Sequence, residues 1–171
     1  MKSIIIIRHA AATYDTNVPT DFDRPLTKQG LLDAKVMGKI LAEKKLKVNL
    51  LLSSPANRAI TTARIIAEQI EYDQRIEEKK RIYNASHREI LDIISKLNNE
   101  IHSVIVFGHN PGLHMLTEKL SNQHFNQFPT CAIAKIILNI KSWEVISNLY
   151  LSEENNPIGS LEYFLTPKKN T

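Results

Sequence analysis

The sequence predicts an α/β fold: a three-layer α/β/α sandwich built on a mainly parallel sheet. Three observations carry this. Short unbroken apolar runs, Ile4-Ile5-Ile6-Ile7, Leu50-Leu51-Leu52 and Val104-Ile105-Val106-Phe107, read as strands buried on both faces. Longer stretches with apolar residues at helical spacing lie between them. The alternation of the two argues for βα units with helices on both sides of the sheet. No internal repeat, low-complexity tract or linker divides the 171 residues, so a single domain over 1–171 is expected.

Taken in order, residues 3–7 form the first strand, followed by a polar loop through Asn17, Pro19 and Asp23-Arg24-Pro25. Thr27 is placed to cap a helix running through Leu31, Ala34, Met37, Ile40 and Leu41. A strand over 49–53 leads to Pro55, which suits the first turn of a helix through Ala59, Ala63, Ile66, Ala67 and Ile70. Residues 79–83 read as a short strand. Ser86 is placed to cap a helix through Ile90, Leu91, Ile94 and Leu97. A strand over 103–107 precedes a helix over about 111–120. Two late runs, 132–140 and 143–150, read as strands joined by Lys141-Ser142, as in an edge hairpin. In the polar tail from Ser152, the apolar residues Leu161, Tyr163, Phe164 and Leu165 are expected to pack down on the domain.

Composition narrows the partners. Hydrophobic content of 43% and charged content of 23% are ordinary for a globular protein. A net charge of +4 suits an anionic substrate or an acidic partner surface. The basic residues are scattered and aromatic platforms are sparse, so nucleic acid is not an expected partner. No apolar run approaches the length of a membrane span, and one Lys and four Ile before Arg8 are too short for a signal-peptide core. The single cysteine, Cys131, excludes an internal disulfide and reads as a small buried hydrophobe. A cytoplasmic location without a membrane partner is the expectation.

The chemistry gathers at strand ends. The first strand runs straight into Arg8-His9, the one over 49–53 into Ser53-Ser54-Pro55 with Arg58 shortly after, and the one over 103–107 into Gly108-His109-Asn110-Pro111-Gly112. Ligands of open α/β sheets bind beyond the carboxyl ends of the strands, so these three ends are expected to converge. Arg58 near a helix start, together with Arg8, makes a phosphate cradle, because guanidinium matches phosphate oxygens bidentately. An imidazole beside arginines stays neutral near pH 7 and therefore nucleophilic. The expected chemistry is attack of a histidine on phosphorus, followed by hydrolysis of the phosphohistidine. There is no Walker loop, GxGxxG, HExxH or CxxC, and neither a metal nor another cofactor is expected.

These blocks, in order, resemble those of the histidine phosphatase superfamily, and within it the short SixA type. Arg8-His9-Ala10 resembles the opening Arg-His-Gly, with alanine in place of glycine. Asp23-Arg24-Pro25-Leu26-Thr27 resembles the Arg-Pro-Leu-Thr block, and Ser53-Ser54-Pro55-Ala56-Asn57-Arg58-Ala59 the Ser-Ser-Pro-x-x-Arg-Ala block. Gly108-His109-Asn110-Pro111-Gly112 resembles the second-histidine motif, and Thr130-Cys131-Ala132-Ile133-Ala134 the late Ala-rich strand. The resemblance implies a phosphoglycerate mutase-like fold and a metal-independent phosphatase. In it His9 is the phosphorylated nucleophile, Arg8, Arg58 and His109 complete the catalytic pocket, and Arg24 binds substrate; Asn110 either binds substrate with it or caps the following helix.

Larger members of that superfamily carry a carboxylate acid in an insertion over the site. No equivalent is evident here; Tyr83-Asn84-Ala85-Ser86 offers only weak acids or hydrogen-bond donors. A nitrogen leaving group needs least help from such an acid. The expected substrate is therefore protein phosphohistidine, on a partner such as a histidine-phosphotransfer domain. The alternatives are a phosphatase of small phosphorylated molecules on the same site and a non-catalytic phosphate-recognition module.

Overall fold

The apolar runs form strands because both of their faces find cover. The computed structural model describes residues 1–14, 17–148 and 158–168. Its six-stranded sheet comprises β1 (Lys2–Arg8), β2 (Leu50–Ser53), β3 (Glu77–Glu78), β4 (Ser103–Gly108), β5 (Ile133–Leu138) and β6 (Gly159–Leu165), in the order β3-β2-β4-β1-β5-β6. The strands from β3 to β1 pair in parallel, and β5 and β6 add an antiparallel edge. Among the described residues five helices accompany them: α1 (Lys28–Glu43), α2 (Asn57–Gln69), α3 (His87–Ser95), α4 (Gly112–Ser121) and the short α5 (Val145–Asn148).

Side chains alternate across each strand, and the core divides accordingly. Ile5, Ile7, Leu51, Ile105 and Phe107 pack with Ala34, Met37 and Leu41 of α1 and Ile60, Ala63 and Ile66 of α2. Ile4, Ile6, Leu52, Val104 and Val106 pack with α3 and α4 through Ile90, Leu91, Ile94, Leu113, Leu116 and Leu120. The predicted caps form. Thr27 Oγ1 accepts the Gly30 N–H at 3.0 Å, and Ser86 and Glu89 close a reciprocal capping box at α3. Leu31 departs from the expected buried stripe of α1 and lies exposed.

Three predicted elements differ. Residues 79–83 are not a strand: β3 ends at Glu78 and a 3-10 turn over Lys80–Ile82 follows. That turn carries Ile82 into the core beneath α3 and α4, which an extended chain continuing the sheet edge would not. The strand predicted over 143–150 is replaced by a turn and α5, with Leu149 and Tyr150 outside the described residues. Trp143 and Ile146 are both buried, a spacing of three that fits a helical turn rather than a pleat, and Trp143 Nε1 donates to the Ile101 carbonyl at 2.8 Å. The partner of β5 is instead β6, so the apolar residues of the tail reach the core as a sheet edge rather than through the Lys141-Ser142 hairpin.

The start of α4 sits against backbone. A Cβ on Gly112 would lie 2.1 Å from the Ala85 carbonyl oxygen. This close approach brings the loop after β4 beside Tyr83. Gly112→Ala should therefore lower stability by about 1–3 kcal/mol, the cost of overpacking a fixed contact. Urea unfolding measures this, and an unchanged midpoint would show that the approach is not needed.

Candidate active site

Sheet register builds the site. Arg8 pairs with Gly108 across β1 and β4, and Ser53 pairs with Phe107 across β2 and β4. The next residues of each chain, His9, His109 and Ser54, therefore leave the sheet side by side at its carboxyl edge. The turn after β1 is locked from both neighbours: His9 N–H donates to the Gly108 carbonyl, and Cys131 N–H donates to the His9 carbonyl, both at 3.1 Å.

His9 is 8% exposed and is oriented by its own backbone. Its Nδ1 lies 2.7 Å from the Ala10 carbonyl oxygen, which can only accept, so Nδ1 carries the proton and Nε2 the lone pair. Arg58 Nε donates toward that nitrogen at 3.4 Å. Alanine at position 10 fits without strain: its φ is negative, its methyl joins the core, and its N–H donates to Thr62 Oγ1 at 3.0 Å.

The structure brings Arg8, His9, Arg58 and His109 together. The rings of His9 and His109 are 5.2 Å apart, centroid to centroid. Arg58 is the second residue of α2, which begins at Asn57, two residues beyond Pro55, with no side-chain cap. Arg8 Nη1 donates to the Phe128 carbonyl at 2.9 Å, while its buried Nε has no partner in the protein. His109 Nε2 meets Ser54 Oγ at 2.8 Å, and its buried Nδ1 likewise has no partner.

Arg24 and Asn110 stand one step back. Arg24 donates from Nε to the Thr13 carbonyl (2.7 Å) and from Nη1 to Asp21 Oδ1 (2.8 Å), with its guanidinium 4.2 Å from the Tyr14 ring centre. It reaches the site through Asp21. Asn110 does not cap α4; its Nδ2 donates to the same Phe128 carbonyl as Arg8, at 2.8 Å, and its buried Oδ1 has no partner in the protein.

Sequence reasoning missed Asp21. Its carbonyl accepts Arg58 Nη1 at 2.6 Å, and its carboxylate accepts from Arg58 Nη2 (3.0 Å), Arg24 Nη1 (2.8 Å) and the Tyr83 hydroxyl (2.8 Å). These donors, Arg24 first and then Tyr83, hold its pKa well below the usual carboxylate range. Asp21 is thus an anion that clasps the back of Arg58. The local signal was its spacing of three from Arg24; Arg58 and Tyr83 are distant in sequence. Ser54, quoted only as part of a motif, was also missed as a partner of His109.

Burial shapes the electrostatics. Desolvation first, and then Arg58, Arg8 and Arg24, push the His9 pKa down to about 4; desolvation and the neighbouring His9 and Arg58 push His109 down to about 3. Both imidazoles are neutral at pH 7. A depressed histidine binds fewer protons folded than unfolded, so its contribution to stability is intact above about 6.5 and is lost as pH falls toward 4. NMR titration of the His9 ring should give a midpoint near 4, and the urea midpoint should be lower at pH 5 than at pH 7.5. A ring that titrates near 6.5 would contradict this electrostatic picture. Burial pushes the Cys131 thiol up to about 12, in keeping with a packing role.

Among the described residues no three His, Cys, Asp or Glu side chains form a metal site, and no helix is long and apolar enough to cross a membrane. Residues 4–84 match the Histidine phosphatase superfamily (branch 1). The chain is similar to an uncharacterized chloroplastic protein of Arabidopsis thaliana, 28% identical over 152 residues that cover 84% of this chain and 69% of the relative. Its fold is that of the protein histidine phosphatase SixA solved with tungstate (TM-score 0.79, 24% identity, covering 96% of this chain and 97% of that one). It also resembles a mycobacterial glucosyl-3-phosphoglycerate phosphatase (TM-score 0.66, 12% identity, covering 94% and 97%).

Proposed function

We propose that the chain, whose residues 4–84 match the histidine phosphatase superfamily, acts as a member of it and hydrolyses phosphohistidine on a partner protein through a covalent phosphohistidine on His9. The observation that carries this is the fixed His9 tautomer: Nδ1–H is tied to the Ala10 carbonyl, leaving the lone pair on Nε2 beside Arg58. In the first half-reaction Nε2 attacks phosphorus, and the bond to the substrate's imidazole nitrogen breaks. Arg8, Arg58 and His109 stabilise the charge on the transferring phosphoryl oxygens. In the second, water attacks phosphorus, the His9–phosphorus bond breaks, and phosphate leaves with His9 again neutral. Asn110, beside Arg8 on the Phe128 carbonyl, and Arg24 line the approach of substrate.

The substrate class rests on Asp21. Among the described residues it is the carboxylate bonded to the pocket, and its three donors keep it ionised, so it has no proton to give a leaving group. Alkoxides need that proton in the transition state; an imidazole takes one readily from water. Nitrogen-linked phosphate therefore suits this pocket better than an alkyl phosphate ester. A net charge of +4 favours approach of an acidic phosphoprotein.

A substrate panel tests the reading. The kcat/KM for a phosphohistidine protein or phosphoramidate should exceed that for sugar phosphates by at least about tenfold, with aryl phosphates between. Rates on the protein substrate should fall with added salt. Arginines supply the positive charge, so rates should be equal with and without a chelator. A sugar phosphate as best substrate would favour the small-molecule reading, and phosphate binding without turnover would favour a recognition module.

A further inference from the structure

We propose that Ser54 sets the tautomer of His109, donating its hydroxyl proton to Nε2 and thereby holding Nδ1–H as a neutral donor for the phosphoryl group. The role deepens the reading above and rests on it. What decides it is the balance of donors and acceptors in a buried cluster.

Ser54 is fully buried and its Oγ has two partners: it accepts the Ala56 N–H at 3.2 Å and meets His109 Nε2 at 2.8 Å. The neighbouring Ser53 hydroxyl donates to the Ser54 carbonyl and does not compete. His109 Nδ1 is buried with no partner in the protein. A hydroxyl has one proton to donate, and a neutral imidazole has one N–H and one lone pair. If Nε2 carried the proton, Ser54 Oγ would accept twice, and both its own proton and the Nδ1 lone pair would be left without partners. If Ser54 donates to Nε2, the run from Ala56 N–H through Ser54 Oγ–H to Nε2 is complete, and the Nδ1–H alone awaits an acceptor. Buried polar groups are costly to leave unpaired, so the second arrangement is favoured.

The remaining donor has a use. The His109 ring lies 5.2 Å from the His9 ring, and a phosphoryl group joining His9 Nε2 brings acceptor oxygens to that space. The opposite tautomer would turn a lone pair toward those oxygens and repel them. No proton moves in this role: Nδ1 keeps its hydrogen throughout, and Ser54 acts through His109 as a positioning residue.

The test is ¹⁵N NMR of the histidine rings at pH 7 in the free protein, which reads the tautomer without relying on any activity. Wild type should carry the proton on His109 Nδ1. Ser54→Ala should shift the population toward Nε2–H, and Ser54→Thr, which keeps the hydroxyl, should preserve the wild-type tautomer. In turnover, Ser54→Ala should lower kcat/KM by up to about 10²–10³-fold, as for loss of one aimed donor, and Ser54→Thr should recover most of it. Wild-type protein protonated on Nε2 would overturn the proposal, even if Ser54→Ala failed to fold. An unchanged tautomer in Ser54→Ala would overturn it as well. Failure of the phosphatase reading shows up separately, as wild-type protein that has the assigned tautomer but forms no phosphoenzyme.

Discussion

Replacing His9 with alanine should lower phosphate release by about 10⁴-fold or more, the scale on which covalent catalysts lose activity when the nucleophile is removed. No neighbour can take over. With Ser54 donating to its Nε2, as proposed above, the His109 ring has no lone pair left for phosphorus. The fold should persist, because the turn after β1 is fixed by backbone bonds from His9 and Cys131 that do not involve the imidazole. Circular dichroism and kcat/KM on phosphoramidate check the two halves of this expectation. A variant that folds and retains more than a few per cent of its activity would require another nucleophile.

Arg58→Met should cost about 10²–10⁴ in kcat/KM, because Arg58 faces His9 Nε2 at 3.4 Å and, in the proposed reaction, would donate to the transferring phosphoryl group. Arg58→Lys should recover little of it. The guanidinium holds the Asp21 carbonyl and carboxylate and faces His9 with a third N–H, a spread of donors that an ammonium cannot reproduce. A second readout separates this from misfolding. Arg58 is the foremost charge depressing the His9 pKa, after burial, so the His9 titration in Arg58→Met should move up from about 4 while staying below 6.5. A titration midpoint that does not move would mean that Arg58 does not act on the nucleophile.

Much of this was legible because a parallel sheet buried on both faces writes itself as unbroken apolar runs. Ile4 to Ile7 and Val104 to Phe107 announced two adjacent strands, and whatever followed them had to emerge at one edge. Arg8, His9 and His109 were found that way, and Arg58 followed from its place just beyond the end of β2. Shorter-range signals failed where the chain changes its period. Glu77 to Tyr83 holds two strand residues and then a 3-10 turn, too brief for any alternation to register. Trp143 and Ile146 share a helical turn, and β6 was disguised by a polar tail whose strand residues are only partly buried. Asp21 lies in a loop with no periodicity at all. Its importance comes from Arg58 and Tyr83, far along the chain, and only folding reveals it. Ser54 stood beside a proline at a strand end, with nothing near it in sequence to mark it as a partner for an imidazole.

Asp21 also alters how the small size of the chain is understood. From sequence, no carboxylate acid is evident at the pocket. In the structure it has one, spent on orienting Arg58 and Arg24. The Phe22 ring meets the Tyr83 ring edge-on at 5.2 Å, and Tyr83 in turn meets His109 at 5.6 Å, so the loop bearing Asp21 is fastened to the pocket wall by aromatic contacts as well as by charge. A carboxylate so held serves geometry rather than proton transfer, and the proposed preference for nitrogen leaving groups rests on that division of labour.

The central claim is that phosphate passes through His9, and rapid-quench trapping during turnover of ³²P-phosphoramidate tests it most directly. Acid-labile, alkali-stable label should appear on the protein within the first turnover, and mapping of the labelled peptides should place it on His9. Label on any other residue, or phosphate released in a burst with no labelled protein at any time, would contradict the account.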